Sequence, residues 1–409
     1  MKNLRISKIL NKRCYSFVVA LITSIIVCAH DGVTAWSDSV SIRIDSLLED
    51  SIFRSSQVGI CIYDLTDDTY IYRHNELQTM RPASTQKVIT AITALKTVGV
   101  HHRMYTTVSY MGEIHSRTLY GDIYCKGSFD PMLNSNSIAM LAREVKAFGI
   151  DSIQGGLFID RSMKDSLAMG SGWCWDDDNP SLSPLTVDGN DDFSSHMLSA
   201  LGEAGVTINT YNGYGICPPE AIMIGNTYHT LENILPRMLK DSDNFYAEAM
   251  FYNLAASSVN RWATARDAAH KVEHLAEMLG HEKNEFRVAD GSGLSLYNYT
   301  TPIIEVDFLR YAYTLPYIYN AIYCALPIAG VDGTLKKRMR DYPNTKGNVR
   351  AKTGSVSCVS SLAGYCKATN GHDIAFCIIN QGMLRSKKAR HFQDMVCAIL
   401  CEPINTKLN

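Results

Sequence analysis

The sequence predicts an α+β fold: an antiparallel sheet flanked by helices, interrupted once by an inserted α+β domain. Three observations carry this. Helical patterns stand near both ends, at Val40–Arg54 and Arg390–Ile404. Strand-like runs lie just inside them, at QVGICIYDL and TYIYRHNE on one side and NVRAKTGSV, SSLAGYCKA and HDIAFCIIN on the other. Between residues 101 and 225 the character changes to short strand-like pieces around one helix, and longer helical patterns then return.

The elements follow in order. MKNLRISKILNKR carries Lys2, Arg5, Lys8, Lys12 and Arg13, and an apolar run from Tyr15 to Ala29 follows. This is the layout of a secretory signal peptide, 1–35, with the cut expected after Ala35 and Ala29 as the alternative. The rival is a retained membrane anchor, for which the run is short against the roughly 20 apolar residues of a span. Val27 is a poor residue before a lipidated cysteine, so Cys28 does not suggest lipidation. After the Val40–Arg54 helix, the two N-terminal runs form a hairpin around Thr66-Asp67-Asp68. Val88, Ile89, Ile92 and Leu95 then mark a helix from about Ser84.

In the inserted stretch, TTVSYMGEI, TLYGDIYCKG and GGLFID surround the helix NSIAMLAREVKAFG, and a polar loop, WCWDDDNPSLSPLTVDGNDD, follows. Helices return at His229–Asp241, Asn244–Ser257 and Ala265–Gly280. The expected organisation is a discontinuous domain of 36–100 and 226–409 with 101–225 inserted.

A chain of 409 residues supports more than one domain. Its 39 Lys and Arg nearly balance 41 Asp and Glu, which argues against nucleic acid as the target. Twelve cysteines are present, two of them in the leader, with no C-x-x-C pair. No structural metal is expected, and disulfide pairing stays open. Cys358, Cys366 and Cys377 read as small buried hydrophobes in strands.

Three short elements carry chemistry: Ser84-Thr85-Gln86-Lys87, Ser242-Asp243-Asn244 and Lys352-Thr353-Gly354. A serine hydroxyl is a poor nucleophile until a base takes its proton. Lys87, one helical turn on, can be that base if burial and a nearby cation such as Lys352 keep it neutral. Ser242 can relay a proton, Asn244 can hold a substrate amide, and Lys352 with Thr353 can bind a carboxylate. Gly354 leaves room for substrate beside the strand. Each element also has a plain alternative: a serine-capped helix with a solvated lysine, a helix start at Asp243-Asn244, and a strand start after a turn. A second S-x-N, Ser258-Val259-Asn260, shows how weak that motif is alone.

The set S-x-x-K, S-D-N and K-T-G is that of class A β-lactamases and penicillin-binding proteins. Longer stretches extend the likeness: PASTQKVITA from Pro82, DGSGLS from Asp290, VDGTLKKRM from Val331, AKTGSV from Ala351 and SSLAGY from Ser360. Over most of its length beyond residue 55, the chain resembles a low-molecular-mass class C penicillin-binding protein of the serine D-Ala-D-Ala carboxypeptidase/endopeptidase family. The resemblance implies a β-lactamase/transpeptidase-like fold and an exported, periplasmic enzyme, with membrane association left open. Its substrates would be peptidoglycan stem peptides, β-lactams would inhibit it covalently, and it would need no cofactor.

By the same resemblance the backbone N–H groups of Ser84 and Ser355 form the oxyanion hole. Asp130, in GSFDPML where the family has a glycine-rich stretch ending D-P-T-L, would grip an amino group of the stem, the alternative being an Asp-Pro turn. The roughly 150 residues between Ser84 and Ser242 leave room for one inserted domain. Two rivals stay open: a β-lactamase, against which the lack of an E-x-x-L-N element speaks, and a non-catalytic β-lactam-sensing or wall-binding protein. His270, Glu273 and His274 form H-x-x-E-H, a zinc-peptidase pattern, but within a charged amphipathic helix where such spacing arises easily.

Overall fold

The computed structural model describes residues 36–402 except Asp178, so the expected leader at 1–35 lies outside the described residues. Helix α1 (36–48) opens the chain. It stops earlier than expected because Asp50 accepts from the Ile52 N–H (3.0 Å) and starts a separate 3₁₀ turn, Ser51–Arg54. The hairpin β1 (Gln57–Asp64) and β2 (Thr69–His74) follows, then α2 (Gln86–Val98).

The chain next builds β3 (Arg103–His115), β4 (Thr118–Gly127), α3 (Ser135–Ala147), β5 (Ser152–Asp160), α4 (Phe193–Glu203), β6 (Thr207–Tyr214) and β7 (Ile222–Thr230). Helices α5 (Leu231–Lys240), α6 (Asn244–Ala256), α7 (Ala265–Met278), α8 (Pro302–Tyr313) and α9 (Pro316–Ala325) lead to β8 (Arg350–Val356), β9 (Val359–Lys367) and β10 (Asp373–Gln381), and α10 (Ser386–Cys401) closes the chain.

The first sheet runs β2-β1-β10-β9-β8 and is antiparallel throughout. Both of its faces are covered. Ile60 and Ile62 pack with Ile44 of α1 and Val396 of α10, while Cys61 and Tyr63 face the core built from α2 and α5–α9. That double cover explains why β9 and β10 read as almost unbroken apolar runs rather than alternating ones. The second sheet, β6-β5-β4-β3-β7, is mixed, with parallel β4–β5 and β5–β6 pairs. Its core lies under α3 and α4.

Several elements were not legible. α4 lies in a stretch rich in serine and glycine and buries only Phe193, Met197, Ala200 and Leu201. α8 and α9 have the opposite problem: α8 is buried nearly all round, so no polar face reveals its period. β7 carries the second sheet past the expected seam at 226. It pairs with β3 up to Thr230, and Thr230 with Asn233 forms the capping box that begins α5 directly.

The ten described cysteines are free thiols. Cys366 and Cys377 are buried as expected, but Cys358 is exposed in the β8–β9 turn. Among the described residues no helix is long and apolar enough to cross a membrane.

Candidate active site

Ser84 sits in a 3₁₀ turn, Ala83–Thr85, that runs straight into α2. It caps nothing: neither the turn nor α2 has a side-chain cap hydrogen bond. The turn is held under strain, with Ala83 at φ +51°. The Thr85 hydroxyl fixes it from below, bonding the Pro82 carbonyl (2.9 Å) and the Glu305 carboxyl of α8 (2.8 Å). Ser361 of β9 also donates to the Pro82 carbonyl.

Gly354 belongs to this packing. A Cβ there would stand 2.0 Å from Ser361 Oγ, 2.7 Å from Pro82 O and 3.0 Å from Ser84 N. The missing side chain thus makes room for the turn that carries Ser84, where the sequence suggested room for substrate.

Lys87 is fully buried on the first turn of α2. Its Nζ lies 3.0 Å from Ser84 Oγ, 2.7 Å from Asn244 Oδ1 and 2.7 Å from the Ser292 carbonyl. Burial pushes its pKa down to about 8, against the opposing pull of Asp290, Glu248 and Asp243. A neutral amine has two hydrogens and one lone pair. With the two carbonyl oxygens taking the hydrogens, the lone pair is left for the Ser84 hydroxyl proton.

Asp243 and Asn244 do begin a helix, as their plain alternative had it, and that start also brings Asn244 to Lys87. The Asp243 carboxylate caps α6, accepting from the N–H groups of Phe245 (2.9 Å) and Tyr246 (3.4 Å). That cap sets Asn244 at the first helical position, facing Lys87. Ser242 precedes it at φ +63° and accepts from Lys352 Nζ at 2.8 Å. Lys352, fully buried on β8, also donates to the Thr353 carbonyl (2.7 Å). Its pKa is pushed well below the usual lysine value by burial and then by the charge of Lys87. Burial, rather than the charge of Lys352, is the leading cause of the Lys87 shift. The Thr353 hydroxyl bonds Thr334 (2.8 Å), and Ser355 is exposed on the same strand.

Asp130 stands apart from this cluster. Its side chain is buried, with one carboxylate oxygen 2.7 Å from His229 Nδ1 on β7 and the other accepting from the Met132 N–H (3.0 Å). The hydrogen bond to Asp130 raises the His229 pKa. The carboxylate for which the resemblance implies a grip on a substrate amine thus already has His229 as a partner. His270 and His274 lie exposed on α7.

Sequence reasoning missed a supporting layer. Glu248, one turn after Asn244, accepts from the Ser292 N–H at 2.8 Å, and the Ser292 carbonyl in turn receives Lys87. Burial, then the charge of Asp290, raises its pKa to about 8. Asp290 accepts from the Gly293 and Ser295 N–H groups (2.7 and 2.6 Å), from Asn298 (2.7 Å) and from Trp173 Nε1 (2.8 Å). Only the i, i+4 spacing of Asn244 and Glu248 and the DGSGLS stretch could have signalled this layer.

The D-Ala-D-Ala carboxypeptidase 3 (S13) family model matches residues 40–191 and 181–402. The chain belongs to this family. Family membership makes it an enzyme, a D-Ala-D-Ala peptidase of the serine type. A D-alanyl-D-alanine carboxypeptidase of Actinomadura sp. (strain R39) is 26% identical over 83% of this chain and 80% of its own. The D-alanyl-D-alanine carboxypeptidase DacB of Haemophilus influenzae is also 26% identical, over 78% and 84%. The crystal structure of penicillin binding protein 4 (dacB) from Haemophilus influenzae superposes with a TM-score of 0.77 at 22% identity, covering 87% of this chain and 97% of that one. The fold is thereby the helix-covered α+β architecture of the penicillin-binding proteins.

Proposed function

We propose that this chain hydrolyses D-Ala-D-Ala ends, D-Ala cross-links or both in peptidoglycan stem peptides through an acyl-enzyme on Ser84. The observation that carries this is the buried Lys87 amine, 3.0 Å from Ser84 Oγ with both its other neighbours carbonyl oxygens. Lys87 takes the Ser84 proton as Oγ attacks the penultimate D-alanine carbonyl. The tetrahedral oxyanion is held by the backbone N–H groups of Ser84 and Ser355.

Ser242, bonded to Lys352, gives its hydroxyl proton to the leaving amine. It regains one from Lys87, which thereby passes on the proton it took from Ser84, and Asn244 orients the substrate amide. Thr353 and Lys352 receive the terminal carboxylate, and that negative charge restores the protonated form of the buried Lys352 amine. Water then hydrolyses the ester. β-Lactams, which resemble the D-Ala-D-Ala terminus, acylate the same serine. A structure of the Haemophilus penicillin binding protein 4 holds a β-lactam, which supports the reading. The leader at 1–35 places the mature chain outside the cytoplasm, and the two sheets form a catalytic domain and an inserted one.

The test is intact mass after incubation with benzylpenicillin, alongside D-alanine release from a peptide ending in D-Ala-D-Ala. Wild type is expected to carry one lasting adduct and to release D-alanine. Ser84→Ala is expected to do neither, with turnover lower by about 10⁴-fold or more. Loss of the drug without a lasting adduct would instead make the chain a β-lactamase. An adduct without D-alanine release would make it a sensor.

A further inference from the structure

We propose that Glu305 stands beneath the turn that carries Ser84 as a neutral acid and is a positioning residue for it: its carboxyl proton goes to the Thr85 hydroxyl, which leaves Thr85's own proton to hold the Pro82 carbonyl. This rests on the reading of Ser84 as the nucleophile. The turn needs holding. Ala83 sits at φ +51°, and such strain persists only where the surroundings over-determine it. Ser361 donates to Pro82 O from β9, and a Cβ at Gly293 would stand 1.8 Å from Ala83 O. Thr85 supplies the hold from below.

The hydrogens available assign the proton. A threonine hydroxyl has one hydrogen to give and two lone pairs. Thr85 Oγ1 lies 2.9 Å from Pro82 O and 2.8 Å from Glu305 Oε1. A carbonyl oxygen only accepts, so the bond to Pro82 uses the Thr85 hydrogen. The bond to Glu305 then needs a hydrogen on the carboxyl. Glu305 Oε2 leads to the same assignment, since it is buried and has no hydrogen-bond partner. Such an oxygen is tolerable as the carbonyl of an acid and costly as half of a carboxylate. An ionised Glu305 would draw the Thr85 hydrogen to itself and leave Pro82 O to Ser361 alone.

The groups around Glu305 fit a neutral acid. Its side chain is fully buried on α8, and among the described residues no Lys, Arg or His stands at salt-bridge distance from it. From β10 it meets the Cys377 thiol, whose pKa is pushed well up by burial and then by this carboxyl. Cys61 of β1, opposite Cys377 in register, is raised by burial too, as are Tyr365 of β9 and Tyr319 of α9. On α2, Lys87 is turned toward Ser84, Asn244 and Ser292. On α8 itself, Asp307 and Arg310 pair with each other. Burial accordingly raises the Glu305 pKa to about 7, with the Thr85 bond opposing.

The experiment compares wild type with Glu305→Gln, whose amide keeps a hydrogen for Thr85 and cannot ionise. Infrared difference spectra at pH 6 are expected to show a protonated-carboxyl band lost in the variant. Thermal melts read the same proton without using activity. A carboxyl whose folded pKa lies above its unfolded value, 4.5, stabilises fully below that value and loses the contribution as pH rises through about 7. The melting gain of Glu305→Gln over wild type is therefore expected to grow by about 2 °C or more between pH 5 and pH 8. Acylation by benzylpenicillin reads the positioning. Both proteins are expected to speed up through about pH 8 as Lys87 loses its proton, with Glu305→Gln gaining about threefold on wild type between pH 6 and pH 9. Thr85→Val, which has no hydroxyl, is expected to slow acylation about tenfold and to cancel that gain when combined with Glu305→Gln. Thr85→Ser is expected to restore the rate, which separates a lost hydrogen bond from a misfolded turn. A wild type that is never acylated sinks the reading of Ser84 and the positioning role with it, while the band and the melts still report the proton. No band lost at pH 6, or a Glu305→Gln advantage equal at pH 6 and pH 9, overturns the proposal.

Discussion

Two kinds of site in this protein treat buried charge in opposite ways: paired sites such as Asp130 with His229, and the cluster at Ser84. At the paired sites an ionisable group is matched locally: Asp130 with His229, Lys164 with Asp165, and Asp64 with His372. Around Ser84, Lys87 and Lys352 are fully buried with hydroxyl, amide and carbonyl oxygens as their hydrogen-bond partners and no carboxylate at salt-bridge distance. Both amines are pushed toward the neutral form, while Glu248 beside them is pushed toward its own. A matched pair fixes a structure. An unmatched buried amine is held ready to change protonation state, which is what a base must do. The comparison therefore separates the paired groups from Lys87 and Lys352, the amines to which the proposed mechanism gives the chemistry.

The largest expected break of this contrast is Lys87→Met. It fills the same space without a base, and acylation by benzylpenicillin is expected to slow by about 10²- to 10⁴-fold with thermal stability nearly kept. The wild-type pH profile sharpens the point. Lys87 acts as base only when neutral, and its pKa is lowered to about 8, so acylation is expected to rise with pH through about 8 and then level. Glu248, raised to about 8, is part-ionised in the range where Lys87 titrates, so Glu248→Gln removes a negative charge that favours protonated Lys87 and keeps an acceptor for Ser292. It is expected to shift that midpoint to lower pH. A midpoint near the ordinary lysine value in wild type would mean that burial does not tune this amine.

Next comes Gly354→Ala. The added Cβ meets Ser361 Oγ, Pro82 O and Ser84 N, and two of those are backbone atoms that cannot swing away. Overpacking here is expected to cost about 1–3 kcal/mol of stability. Activity should fall further than stability, because the displaced atoms belong to the nucleophile's turn. Stopped-flow acylation beside thermal melting checks this, and an unchanged acylation rate would show that the turn tolerates the shift.

The cluster's members were legible because their chemistry restricts residue type. Ser84, Lys87, Ser242, Asn244, Lys352, Thr353 and Gly354 stand in three short motifs, and the structure brings the elements that carry them together. The supporting layer was not legible, because holding a backbone N–H or a carbonyl in place leaves little compositional trace. Glu248 looks like any helical glutamate, and Trp173 like any loop tryptophan, until Ser292 and Asp290 are seen against them. The same logic applies to the fold: the antiparallel strands stood out, whereas α8, buried nearly all round, gave no amphipathic period. Asp130 shows the converse limit. The motif suggests a place at the substrate, but it gives no sign that His229, about a hundred residues later, bonds the same carboxylate.

The smallest expected effect falls on that matched pair and tests the contrast from its other side. Asp130→Asn removes the charge that raises the His229 pKa. A histidine whose folded pKa lies above its unfolded value stabilises the fold fully below the unfolded value, about 6.5, and loses that contribution as pH rises through the folded value. The variant is therefore expected to lose more stability near pH 6 than near pH 9, by about 1 kcal/mol after discounting for the partial exposure of His229. Acylation by benzylpenicillin should stay within about threefold of wild type, since no hydrogen bond links the pair to Lys87 or Lys352. Thermal melts at the two pH values, read beside acylation rates, decide the matter. A large fall in acylation with stability intact would place Asp130 at the substrate and make the contrast between paired sites and the Ser84 cluster incomplete.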